Sequence, residues 1–71
     1  MKVPVKFRGY NGGYVYGNHL MVCSDIPHLI YIIDVEEDAY YLVYRNTVRR
    51  LVGYDENGEE IYEKCIVKGW D

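Results

Sequence analysis

The stretch TVRRLVGYDENGEEIYEKCIV, residues 47–67, decides how the rest of this chain of 71 residues is read. Before its centre Val48, Arg50, Val52 and Tyr54 alternate with their neighbours, and after it Ile61, Glu63, Cys65 and Val67 do the same. Period two is the signature of a half-buried strand. Between the two runs stands Asn57-Gly58, a strong hairpin signal, because both residue types accept the positive φ of a tight turn. Asp55 and Glu56 are read as loop residues in solvent. A slip of one residue would turn every apolar side chain of the unit outward, so the turn serves to fix register.

Working outward, the same period recurs. Val3, Val5 and Phe7 oppose Lys6, Arg8 and Tyr10, with Pro4 suited only to a sheet edge. The turn NGG, residues 11–13, leads into YVYGNHLMV, residues 14–22, read as one strand. Gly17 inside it signals a bulge or a close backbone approach. Ser24-Asp25 and Pro27 interrupt the pattern before a third strand, LIYIID, residues 29–34. Asp34, Glu36, Glu37 and Asp38 then form an acidic, solvated connection. Residues 34–53 admit two readings. Asp34 with Glu37 fits a helical capping box, whereas YYLVY and TVRRLVGY are rich in β-branched and aromatic residues that favour strands. The strand reading, with a turn at Asn46-Thr47, is adopted. The expectation is a single all-β domain spanning residues 1–71, a small antiparallel, strongly bent sheet or partly open barrel of about six strands.

Bulk properties narrow the function. A chain this short buries only about 60% of its unfolded surface, so interior space is scarce. Hydrophobic residues nevertheless make up 49% of it, including nine tyrosines and one tryptophan. Apolar surface left outside is best covered by a second copy, so a symmetric dimer is expected. The net charge of −3 lacks the basic excess that phosphate-backbone binding needs, which disfavours nucleic acid. LIYII, residues 29–33, is too short to span a bilayer, and no signal-like apolar run opens the chain. Two cysteines fit reduced thiols in a cytoplasm.

The chemistry-bearing residues do not assemble into a reaction centre. His19, Cys23 and His28, with Cys65 distant, lack the paired spacing of structural zinc. Cys23 with His28 has no neighbourhood that would generate a thiolate. No catalytic residue, metal or cofactor is expected. Arg45, Arg49 and Arg50 concentrate positive charge, but Arg49 and Arg50 would face opposite sides of a strand. Tyr14 with Tyr16, and Tyr40 with Tyr44, would each share a face. Tyrosine rows of this kind serve chiefly in cross-strand packing and protein interfaces. The candidate partner surface is therefore Tyr14, Tyr16, Tyr40, Tyr44, Arg49, Arg50 and Trp70. The alternative is a nucleotide or oligonucleotide binder that stacks bases on tyrosine and uses Arg8, Arg45, Arg49 or Arg50.

Two separated blocks, VKFRGY…GGYVYG and TVRRLVGYDENGEEIYEKCIV, together resemble the YopX family of small proteins from bacteriophages, prophages and mobile elements. Tyr14 stands where the family usually has Trp, and Lys64-Cys65 where it usually has Gly-Asp. The resemblance implies an all-β fold and a phage or prophage setting, in the cytoplasm of a bacterial host. It supplies no mechanism. The expected function is a non-enzymatic phage or prophage accessory protein that binds protein: a second copy of itself, or a host factor such as a defence component.

Overall fold

The fold is seen in a computed structural model of the chain, which describes residues 2–22 and 25–64. It is all-β. Among the described residues seven strands follow one another as β1 (Phe7–Tyr10), β2 (Tyr14–Gly17), β3 (His19–Val22), β4 (Leu29–Asp34), β5 (Ala39–Tyr44), β6 (Arg49–Tyr54) and β7 (Glu60–Lys64), with a 3₁₀ turn at Arg45–Thr47. They form two antiparallel sheets, one ordered β2-β1-β6-β7 and the other β3-β4-β5. Among the described residues the sheets do not close into a barrel.

The seventh strand arises because residues 14–22 are not one strand. At Asn18 the chain leaves the first sheet and enters the second. Asn18 secures this crossing: its N–H donates to the Ile33 carbonyl at 2.9 Å, and its side-chain oxygen accepts from the Val35 N–H at 3.2 Å. Gly17 is a close approach. A Cβ there would lie 2.5 Å from the Ile33 carbonyl oxygen. Gly9 plays the same part on β1, where a Cβ would meet Ile32 and Val43 side-chain atoms at 2.7 Å. The two glycines let the sheets come together over a core of Ile30, Ile32, Val43 and Val48, with Phe7, Val15 and Leu20 packed against it.

Residues 34–53 are strand, turn and strand, so the competing helix does not form. Asp34 acts within a turn: its carboxylate accepts from the N–H groups of Glu36 (3.1 Å) and Glu37 (3.3 Å). Asp38 closes that turn with φ 54°, where side chains other than Gly, Asn and Asp are strained. Pro27 sits second in another turn, closed by the Leu29 N–H on the Ile26 carbonyl at 3.0 Å.

The hairpin expected around Asn57-Gly58 is present, with two differences. Of Asn57 and Gly58 only Gly58 has positive φ, 82°. The loop is the three-residue kind, a tight turn followed by a left-handed glycine. Asp55 organises it: its backbone N–H reaches the Glu59 carbonyl, and its carboxylate accepts from the N–H groups of Asn57 (2.8 Å) and Glu59 (2.9 Å). The alternation of β6 is also broken by an irregularity between Leu51 and Gly53, and it is Leu51 rather than Val52 that is buried. At the start of the chain, the regular strand begins only at Phe7, and Val3 and Val5 stay exposed. No helix of the described residues is long and apolar enough to cross a membrane.

Candidate functional site: two outward sheet faces

Strand register settles which side chains share a face. In the three-stranded sheet Ile33 lies opposite His19 and Tyr40, Tyr31 opposite Met21 and Leu42, and Leu29 opposite Tyr44. The intervening residues Ile30, Ile32 and Val43 point to the core. The outward face is thus built from His19, Met21, Leu29, Tyr31, Ile33, Tyr40, Leu42 and Tyr44, with no formally charged side chain. Tyr40 is 58% exposed, and Tyr44 and Met21 are each 45% exposed. A solvated sheet face ordinarily alternates to polar residues, so this one departs from the rule.

The outward face of the four-stranded sheet is of a different kind. Across it run Tyr16, Arg8, Arg49 and Lys64, each the cross-strand partner of the next. Tyr14 and Tyr62 enclose the Arg8 guanidinium, their ring centres 4.7 and 4.5 Å from its carbon. Lys6 lies over Tyr16 at 5.1 Å and pairs with Glu60 at 2.9 Å. The Tyr62 hydroxyl donates to the same carboxylate at 2.7 Å. These two donors hold the Glu60 carboxyl below its ordinary value, the Tyr62 hydrogen bond contributing most. Burial, with the hydrogen bond to Glu60 next, pushes the Tyr62 hydroxyl well above its ordinary range.

The candidate surface read from the sequence therefore divides. Tyr14, Tyr16 and Arg49 belong to the cationic face, and Tyr40 and Tyr44 to the uncharged one. Arg50 is exposed on the opposite side of its strand from Arg49, opposite Glu63. Trp70, Cys23 and Cys65 lie outside the described residues. Of the four arginines proposed to meet an anion, Arg45 is buried at 5% exposure in the 3₁₀ turn, and only Arg8 and Arg49 converge. Tyr62, Lys6 and Glu60 were not singled out from sequence. Alternation along β7 places Glu60 and Tyr62 on one face, but the partner that gives them meaning, Arg8, is brought by strand order alone.

No three His, Cys, Asp or Glu side chains among the described residues form a group able to hold a metal. Compared with protein-family models, curated proteins and solved structures, the chain has no match.

Proposed function

We propose that this protein is a non-enzymatic binding module of phage or prophage type, acting in the cytoplasm of a bacterial host by docking protein on the outward face of β3, β4 and β5. The observation that carries the reading is the absence of any formally charged side chain from that face, at His19, Met21, Leu29, Tyr31, Ile33, Tyr40, Leu42 and Tyr44. Depletion of charge with enrichment of tyrosine and methionine is the composition of an interface centre. Self-association through it is the first expectation, and a host protein on the same surface the second. The phage setting rests on the resemblance to the YopX family.

The test is affinity capture from a bacterial lysate with wild-type bait and with Tyr40→Lys bait. A specific protein captured by the wild type and lost with the variant, at unchanged melting temperature, supports the reading. Equal capture by both, or loss with Tyr14→Ala instead, places the binding surface elsewhere and overturns it.

A further inference from the structure

The chain as a whole is acidic, yet one groove in it is not. A cavity of about 430 Å³ opens where β1 meets the 3₁₀ turn, lined by Arg8, Tyr10, Tyr14, Asn46, Thr47 and Arg49. Two guanidinium groups line it and no carboxylate does, in a protein of net charge −3. Arg8 and Arg49 are direct cross-strand partners. Like charges in that position repel, and an anion between them removes the repulsion.

The groups in the groove are held but incompletely used. The Arg8 side chain makes no hydrogen bond among the described residues, and its Nε is buried without an acceptor. Its guanidinium is fixed by the rings of Tyr14 and Tyr62 rather than by a carboxylate, a stacking that preserves the planar fork suited to phosphate. Arg49 spends one Nη on the carbonyls of Asn46 and Val48, both at 3.3 Å, and retains its other donors. The Asn46 carboxamide makes no hydrogen bond among the described residues, and its exposed position opens it to the groove. Thr47, by contrast, is occupied: its hydroxyl accepts from the Tyr10 N–H and donates to the Tyr44 carbonyl, which fixes the wall. One face of the Tyr14 ring stacks on Arg8, Tyr10 approaches it at 5.4 Å with the ring planes at 70°, and with 62% of the residue exposed the rest of the ring stands open beside the cations.

We infer that this groove binds a mononucleotide, with its phosphate between Arg8 and Arg49 and its base on Tyr14. The cavity has the size of a small-molecule site, and base-on-tyrosine stacking tolerates any base. A single phosphate suits the site better than a nucleic-acid strand, because the rest of an acidic protein repels a polyanion.

Titration of the ¹⁵N-labelled protein with AMP, adenosine, inorganic phosphate and hexathymidylate tests this. AMP is expected to shift the amides of Arg8, Tyr14 and Asn46, and adenosine at equal concentration to shift none. Inorganic phosphate is expected to shift the Arg8 and Asn46 amides at higher concentration. Arg49→Gln should weaken AMP at least tenfold. Tyr14→Ala, at an exposed position, should weaken AMP severalfold and inorganic phosphate by less, because the base loses its platform while Tyr62 still stacks on Arg8. Arg8→Lys should also weaken AMP, because it retains charge and loses the stacked fork. Absence of AMP shifts at millimolar concentration, equal binding of adenosine, or full binding by a normally melting Arg49→Gln protein would overturn the proposal. Hexathymidylate bound more tightly than AMP would overturn it in favour of nucleic acid.

Discussion

Gly17 and Gly58 are both glycines of necessity, for different physical reasons, and they separate under mutation. At Gly17 a methyl group would press on the Ile33 carbonyl and the Ile32 side chain, and backbone cannot step aside as a side-chain end can. Gly17→Ala is expected to cost about 3 kcal/mol, the upper end of overpacking. At Gly58 a Cβ meets nothing within 4 Å, and the penalty is that of positive φ alone. Gly58→Ala is expected to cost about 1 kcal/mol. Urea unfolding of the two variants checks the order, and a Gly58 variant less stable than the Gly17 variant would contradict it. Gly17 was legible as a bulge or a close approach, since either explains glycine inside a strand. Gly9 was not legible, because the residues it makes room for, Ile32 and Val43, belong to distant strands.

At the scale of the element, hairpins were the most readable feature and their turn geometry the least. Asn57-Gly58 marked the β6–β7 hairpin, but the pair does not show that Asp55 would receive two backbone donors and shift the turn by a residue. Asp55→Ala is expected to destabilise the protein by about 1 kcal/mol through those two lost bonds, as thermal melting would show. Strand identity across residues 34–53 was legible from β-branched and aromatic content. The break at Asn18 was not, because both of its halves alternate correctly and only the packing of two sheets divides them.

The β7 strand also carries a pH dependence. The Glu60 carboxyl is held below its ordinary 4.5, so the folded state favours the carboxylate more than the unfolded chain does. That contribution is complete above about pH 4.5 and is lost as pH falls through the lower folded value. Tyr62 acts in the other direction. Its folded value is raised, so its contribution is complete below about pH 10 and is lost as pH rises above it. Glu60→Gln should therefore lose less stability between pH 5 and pH 3 than wild type in urea unfolding. Equal acid losses in the two proteins would contradict the arrangement.

For the whole molecule, the two sheets present unlike faces to the outside. One is cationic and braced by its own stacking and hydrogen bonds; the other is uncharged, with tyrosine and methionine exposed. Composition made surplus apolar surface legible, since a chain of this length has too little interior for its hydrophobic residues. Which tyrosines belong together was legible only within a strand. Tyr40 and Tyr44 were paired correctly, but the sheet order that puts Met21, Leu29 and Tyr31 beside them is a long-range property. Sedimentation equilibrium of the purified protein at micromolar concentration, with Tyr40→Lys alongside, tests whether the uncharged face of β3, β4 and β5 joins two copies. A dimer is expected for the wild type and a monomer for the variant. A strictly monomeric wild type, or a variant that dimerises equally well, would contradict it.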